Sequence, residues 1–263
     1  MLGGQGSSKI QGSSTPHMKL GFDLDGTLAD LQGALALEGR RLFPGVDPGL
    51  LPQSIAPGAA TGAGDAPPGF SMSSLSSRQQ RELWDAACER VNFWETLDEI
   101  EPGALARLSR VARERRWEII FLTSRPETRG DTAQVQSHRW LTAHGYDLPS
   151  IFVVHGSRGK IAASLQLDVL VDDRPENCLD IAIDSTARAI LVWRGGEETI
   201  PGSARQLGIG SVTSIGKCLD ILETLDSESK DVSIVDRFKQ LLGLKRPDRR
   251  QQARSPLAPT SPA

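Results

Sequence analysis

Acidic residues follow two short apolar runs of the chain, at the points where buried strands would end. Asp23 and Asp25 lie in GFDLDGT, and Asp172 and Asp173 lie in VLVDDR. On a continuing strand, residues two apart share one face, so Asp23 and Asp25 would point to the same side. Carboxylates that meet at one edge repel each other unless a cation lies among them, and oxygen ligands suit Mg²⁺. These acids therefore predict a magnesium site.

Polar and basic residues that could bind an anion stand at comparable positions. Thr123, Ser124 and Arg125 follow the apolar run WEIIFL, and Lys160 opens a helical segment further along the chain. A hydroxyl group and a positive charge suit phosphate oxygens. Ser124 and Arg125 are equally consistent with turn residues and with contacts to phosphate or substrate. An anion, a metal and paired acids together favour phosphoryl transfer as the chemistry of this chain.

Alternating strand and helix patterns must position these groups. The apolar runs predict strands at Lys19–Asp23, Trp117–Leu122, Ile151–Val154, Asp168–Val171 and Ala189–Trp193. Helical spacing predicts helices at Leu28–Phe43, Arg78–Leu97, Pro102 to about Arg116, Asp131–Leu141, Val212–Leu225 and Val232–Leu244. Such alternation predicts an α/β fold with a Rossmann-like, mostly parallel sheet and a small helical cap inserted after the first strand. Ligands of such sheets bind at the carboxyl ends of the strands.

Composition excludes several classes of protein and partner. The chain has 263 residues, of which 38% are hydrophobic, and a net charge of −3. No stretch approaches the roughly 18 apolar residues of a membrane span, so we expect no membrane association. The charge balance provides no basic surface for duplex nucleic acid, and we expect no nucleic-acid partner. Three widely spaced cysteines, Cys88, Cys178 and Cys218, favour reduced thiols and a cytoplasmic location.

Glycine and proline concentrate in three segments of the chain, residues 1–17, 44–77 and 246–263. Such segments bury too little apolar surface to offset the entropy of ordering, which predicts mobility. The expected organisation is a flexible leader at 1–17, a core formed by 18–27 and 98–245, a helical cap at 28–97 that includes the segment 44–77, and a disordered tail at 246–263. The sequence does not indicate an oligomeric state.

Four segments of the chain, GFDLDGT, FLTSRP, Lys160 and VLVDDR, resemble the four motifs of the haloacid dehalogenase (HAD) superfamily of aspartate-nucleophile phosphohydrolases. The resemblance extends from about Lys19 to Arg194, and the predicted insertion lies where that family has its small helical cap. It implies a HAD core and a Mg²⁺-dependent phosphatase that forms an aspartyl-phosphate.

The same resemblance implies a role for each matching residue. Asp23 would be the nucleophile and a metal ligand, and Asp25 would be the general acid and base, with its backbone carbonyl facing the metal. Thr123, Ser124 and Lys160 would bind the transferring phosphoryl group. Of the remaining pair, Asp172 would ligate Mg²⁺ with or without Asp173.

The substrate is expected to be a small phosphorylated metabolite or nucleotide. Phe93 and Trp94 are adjacent, and we expect that their rings cannot both face one core. One ring would then line the pocket and stack on a planar base, whereas the alternative places both in the core of the cap. Arg125 is expected to be a further substrate contact. The FW pair, TSRP and DDRPEN resemble segments of the 5′(3′)-deoxyribonucleotidases.

Three other functions stay open at this point. TSRP, the segment HRWL at residues 138–141, and DDR are also similar to the 3′-phosphatase domain of polynucleotide kinases. A sugar-phosphate phosphatase or phosphomutase would use the same four motifs. A catalytically silent HAD-like binding protein is the alternative outside enzymes, although every expected catalytic position is filled.

Overall fold

The computed structural model describes residues 18–46 and 75–227. The expected leader at 1–17, the expected tail at 246–263 and the predicted helix Val232–Leu244 lie outside these residues. So do residues 47–74 of the segment rich in glycine and proline. The division into core and cap accordingly stays a prediction.

Six parallel strands form a single sheet in the order β3-β2-β1-β4-β5-β6. The strands are β1 Lys19–Asp23, β2 Glu118–Thr123, β3 Ser150–Val153, β4 Val169–Asp172, β5 Arg188–Val192 and β6 Gly210–Val212. Central strands of such a sheet are covered on both faces, which explains why β1 and β4 are nearly continuous apolar runs. The predicted α/β, Rossmann-like fold is confirmed.

Eight helices surround the sheet in the described part of the chain. They are α1 Leu31–Leu42, α2 Ser77–Glu89, α3 Ala104–Arg115, α4 Ala133–Ala143, α5 Arg158–Leu165, α6 Pro175–Asp184, α7 Gly202–Gln206 and α8 Ile215–Ser227. Short 3₁₀ turns occur at Phe93–Thr96 and Glu197–Thr199. No helix of the described residues combines the length and the apolar character that crossing a membrane requires.

Two helices, α1 and α2, occupy the described part of residues 28–97, the segment that the sequence predicts to be an insertion. The two helices pack against each other, and Ser76 begins α2 with a capping box to Gln79. Leu35 and Leu83 of the insertion belong to the same buried cluster as Phe121 of the sheet. The described part of the insertion therefore shares one hydrophobic core with the sheet.

Several predicted element boundaries are wrong. The helix predicted at Arg78–Leu97 ends at Glu89, and Phe93–Thr96 form a 3₁₀ turn instead. The sequence places Val212 at the start of a helix, but Val212 pairs with Val192 in the parallel strand β6, and α8 begins at Ile215. A strand of three residues is too short to show an alternating pattern in the sequence. At α4, the helix begins at Ala133 rather than Asp131, and the Thr132 hydroxyl caps it by accepting from the backbone N–H of Val135.

Candidate active site

The strand order creates one crevice at the carboxyl edge of the sheet. From β1 the chain proceeds to β2 and β3 on one side, whereas β4, β5 and β6 follow on the other side. In open α/β sheets, ligands bind where the strand order reverses in this way, which here lies between β1 and β4. Asp23 ends β1 and Asp172 ends β4. The sheet thus brings the two acidic motifs together, as the sequence predicts.

Arg158, in the first turn of α5, is the cation next to Asp23. Its Nη2 donates hydrogen bonds to Asp23 Oδ1 at 2.8 Å and to Ser124 Oγ at 3.1 Å. Its Nε lies 3.8 Å from Asp172 Oδ2. Arg158 is only 4% exposed, and its buried Nη1 has no hydrogen-bond acceptor among the described residues. One donor of this guanidinium therefore lacks a partner in the middle of the acidic cluster.

Arg125 makes a paired interaction with Asp25. Its Nε lies 3.0 and 2.9 Å from the two carboxylate oxygens of Asp25, and its Nη2 donates to Oδ1 at 2.7 Å. The hydroxyl of Thr123 donates to Asp25 Oδ2 at 3.3 Å and accepts from the backbone N–H of Arg125 at the same distance. Thr123, Arg125 and Asp25 thus form one connected group.

Asp172 and Asp173 differ in their surroundings. Asp172 is fully buried, and it accepts from the backbone N–H of Arg174 at 2.8 Å and from the amide of Asn177 at 3.1 and 2.9 Å. Asp173 accepts from the Thr27 hydroxyl at 3.2 Å. The two neighbouring carboxylates therefore have different hydrogen-bond partners.

The turn after β1 contacts residues that follow two other strands. Gly26 adopts a φ of +87°, which favours glycine, and a Cβ atom there would clash with the Asp173 carboxylate. Arg194, which follows β5, donates to the carbonyls of Gly26 at 2.7 Å and Thr27 at 2.9 Å, and also to Glu101 at 3.0 Å. The backbone next to Asp25 is therefore fixed by contacts from β4 and β5 as well as by its own conformation.

Burial and mutual repulsion act on three of the carboxyl groups. The pKa of Asp23 is raised well above its usual value, first by burial and then by the charge of Asp172. Burial also raises the pKa of Asp172. The pKa of Asp173 is raised to about 7 by burial and by the charge of Asp172. Cations close to this cluster are correspondingly stabilising.

Charge and ligand chemistry of this cluster fit a divalent cation. Four carboxyl groups lie near three guanidinium groups, those of Arg125, Arg158 and Arg174, which leaves an excess of one negative charge when all the acids are ionised. However, no group of three or more His, Cys, Asp or Glu side chains in the described ranges is arranged to hold a metal. The Asp25 side chain is paired with Arg125, and the sequence assigns Asp25 its backbone carbonyl as the group that faces the metal, so the predicted ligand set stays a prediction. Two carboxylates and the Asp25 carbonyl remain a suitable oxygen set.

The structure does not bring Lys160 into this cluster. Lys160 is exposed on α5, and its side chain has no ion pair among the residues that the structure describes. Ser157 caps the helix, so Arg158 is its first residue. Two residues along a helix point about 200° apart, and only one of Arg158 and Lys160 can face the sheet edge. The sequence analysis missed Arg158, although the capping position of Ser157 is a signal that could have indicated it.

The prediction that the Phe93 and Trp94 rings cannot share a core is wrong. Phe93 is 1% exposed and Trp94 is 0% exposed. The two rings pack edge to face at 5.1 Å in the same cluster. Neither ring leaves a face for a planar base, so the structure does not place them in contact with a substrate.

Arg125, also expected to contact the substrate, is buried as well. Its side chain is 0% exposed, and its guanidinium lies 4.8 Å from the Trp94 ring centre and 5.7 Å from that of Trp140. Its Nη1 donates to Ser137 Oγ at 2.9 Å. Ser124, in contrast, is partly exposed and contacts Arg158.

The end of the insertion is bonded to the loop between β2 and α4. The backbone N–H of Arg129 donates to the Cys88 carbonyl at 2.8 Å, and that of Asn92 donates to the Arg129 carbonyl at 2.7 Å. Asn92 Oδ1 accepts from the backbone N–H of Asp131 at 2.9 Å. The Trp94 indole donates to the Pro126 carbonyl at 3.1 Å. These bonds hold the insertion against the loop that carries Arg125.

No protein-family model matches the chain, and no curated protein shows significant sequence similarity to it. Among solved structures, it is similar to a Thermotoga maritima protein described as a "putative beta-phosphoglucomutase". The sequences are 15% identical, the TM-score is 0.46, and the alignment covers 79% of this chain and 99% of that chain. A likeness at this level does not define a function for this chain.

Proposed function

We propose that this protein is a Mg²⁺-dependent phosphatase that hydrolyses a small phosphomonoester. The observation that carries the proposal concerns the guanidinium of Arg158: its Nη2 donates to Asp23 and Ser124, whereas its buried Nη1 has no acceptor among the described residues. A buried donor without a partner is costly, and a phosphoryl oxygen would supply the missing acceptor. The resemblance of four motifs to the HAD superfamily supports the same reaction.

In this mechanism Asp23 is the nucleophile. One of its carboxylate oxygens forms a bond to phosphorus while the bond from phosphorus to the leaving oxygen breaks, which produces an aspartyl-phosphate. Asp25 gives a proton to the leaving oxygen. It then takes a proton from the water that attacks the aspartyl-phosphate, which releases phosphate and restores Asp23. Arg158 and Ser124 hold the phosphoryl oxygens during both transfers.

Mg²⁺ would be held by Asp23, by one or both of Asp172 and Asp173, and by the backbone carbonyl of Asp25. When bound, the ion neutralises charge on the transferring phosphoryl group. Thr27 orients the Asp173 carboxylate through its hydroxyl, and Arg194 fixes the carbonyls of the turn that follows Asp25. These contacts support the proposal that the turn and the acid after β4 contribute oxygens to the ion.

The substrate class is a phosphomonoester whose phosphate can reach a narrow site. Asp23 and Thr123 are almost completely buried, whereas the Asp25 side chain is 17% exposed. A deoxyribonucleoside monophosphate remains a candidate through the motif resemblance, but the burial of Phe93 and Trp94 removes the stacking argument for it. A sugar phosphate is the second candidate and requires no aromatic platform.

Hydrolysis of para-nitrophenyl phosphate by the purified chain, with Mg²⁺ and with a chelator, tests this proposal. We expect phosphate release that depends on Mg²⁺. A comparison of kcat/KM for deoxyribonucleoside monophosphates and sugar phosphates then separates the two substrate classes. Absence of hydrolysis across the whole panel in the presence of Mg²⁺ would overturn the proposed phosphatase activity and favour a catalytically silent binding protein.

A further inference from the structure

We propose that Arg125 is a positioning residue, which fixes the orientation of the Asp25 carboxylate and does not touch the substrate. The inference rests on the proposed function, in which Asp25 moves the proton. It assigns to Arg125 a role different from the substrate contact that the sequence suggests.

The geometry of the pair defines the plane of the carboxylate. Nε and Nη2 of Arg125 donate to Asp25 at distances between 2.7 and 3.0 Å, and both carboxylate oxygens take part. Paired bonds between a guanidinium and a carboxylate fix orientation as well as distance. The Thr123 hydroxyl adds a further bond to Oδ2 at 3.3 Å. Rotation of the Asp25 carboxylate would break several of these bonds.

Arg125 itself is immobilised away from any substrate. Its side chain is 0% exposed, and each of its three guanidinium nitrogens already donates a hydrogen bond to the protein. Its remaining nitrogen, Nη1, donates to Ser137 Oγ, and the Ser137 hydroxyl in turn donates to the Ala133 carbonyl at 2.7 Å. The indole rings of Trp94 and Trp140 both contact the guanidinium through cation–π interactions.

Trp94 links this arrangement to the helical insertion. Its backbone N–H donates to Gln136 Oε1 at 3.0 Å, and its indole donates to the Pro126 carbonyl. The insertion therefore supplies one wall of the Arg125 environment. Through Arg125, it contributes to the placement of the acid–base group without contributing a residue that meets the substrate.

The test uses Arg125→Lys in the full chain, assayed with para-nitrophenyl phosphate and Mg²⁺. Lysine keeps the charge but cannot form the paired bonds. We expect kcat to fall by about 10²-fold, the effect of a misplaced catalytic group, while KM does not rise. Arg139→Lys, in the helix α4 that follows the Arg125 loop, is the matched control. Arg139 pairs with Glu95 and Asp131 at the surface, and its replacement should change neither constant.

A double-mutant comparison with Asp25→Asn separates positioning from a general structural effect. Para-nitrophenolate leaves without protonation, so residual turnover of Asp25→Asn is measurable. If Arg125 acts through Asp25, Arg125→Lys lowers that residual kcat by less than about 2-fold. An equal loss in both backgrounds, or a raised KM with unchanged kcat, would overturn the inference.

Trp94→Phe provides a second variant if Arg125→Lys loses its circular dichroism signal. It should lower kcat by roughly 3- to 10-fold, the scale of one cation–π contact, and should lose this effect in the Asp25→Asn background. The two proposals fail differently. An inactive wild type overturns the proposed function and this inference with it. If the wild type is active but the losses caused by Arg125→Lys and Asp25→Asn are additive, only the role of Arg125 is overturned.

Discussion

Arg158 Nη2 lies 2.8 Å from Asp23 Oδ1, although 135 residues separate the two in sequence. Both side chains are almost completely buried. Burial and the neighbouring Asp172 raise the pKa of Asp23, and Arg158 is the group that opposes this shift. The pair therefore supports the ionised form of the side chain that we propose as nucleophile, and the predictions below begin from it.

Arg158→Met should reduce kcat by about 10²- to 10³-fold, the usual cost of one donor to a developing charge. Lys160→Met, two residues away, is the matched control and should retain activity within about 2-fold, because surface substitutions away from a site have small effects. Phosphate release by both variants measures the difference. The opposite ranking would show that Lys160 and not Arg158 binds the phosphoryl group. Since removal of one partner from a buried ion pair costs about 3–5 kcal/mol, the melting temperature of Arg158→Met must be measured alongside.

Asp23→Asn should abolish turnover, by about 10³-fold or more, because the amide cannot form the aspartyl-phosphate. The fold should remain, since asparagine has the same shape and adds no charge to the buried cluster. Turnover and circular dichroism on the same preparation check both points. Retained turnover in this variant would remove Asp23 as the nucleophile.

Mg²⁺ should raise the melting temperature of the chain, independently of any substrate. An ion that binds only the folded state adds about 2.7 kcal/mol of stability at a concentration 100 times its Kd. Relief of repulsion among Asp23, Asp172 and Asp173 is the physical reason. Calorimetry with and without a chelator measures the shift. Asp173→Asn should diminish it, and an identical shift in that variant would exclude Asp173 as a ligand.

Gly26→Ala should reduce both stability and activity. The positive φ of Gly26 costs about 1–2 kcal/mol for a residue with a side chain, and the new Cβ would displace the Asp173 carboxylate. Gly103→Ala separates these two effects, because Gly103 has a φ of +86° and open space around its Cβ position. Denaturant unfolding should show a similar loss of stability in both variants. The value of kcat should fall only in Gly26→Ala. Equal activity in the two would contradict the contact with Asp173.

The sequence was sufficient for the sheet and for the positions of the acids. Strands β1 and β4 are buried on both faces, so their apolar runs and the acids that end them are visible locally. Because parallel strands place their carboxyl ends at one edge of the sheet, the sequence alone predicts that Asp23 and Asp172 lie close together. The fold class is accordingly confirmed, whereas the catalytic roles and the cap remain predictions.

Side-chain direction could not be predicted where it depends on tertiary contacts. Asn92 adopts a φ of +53° just before the 3₁₀ turn that contains Phe93 and Trp94. Successive residues in such a turn are about 120° apart, closer than on a strand, and both rings can enter one core. Likewise, which of Arg158 and Lys160 faces the site depends on where α5 begins, and the Ser157 cap decides this.

The bonds between the end of the insertion and the β2–α4 loop also have a consequence for protein engineering. A chimera that received the insertion of another protein would lose Trp94 from the side of Arg125, together with the bonds of Cys88 and Asn92 to that loop. Exchanging the insertion alone would therefore also change the surroundings of Arg125. A graft would have to carry the segment from Arg125 to Trp140 with it, so the two pieces of sequence behave as one exchangeable module.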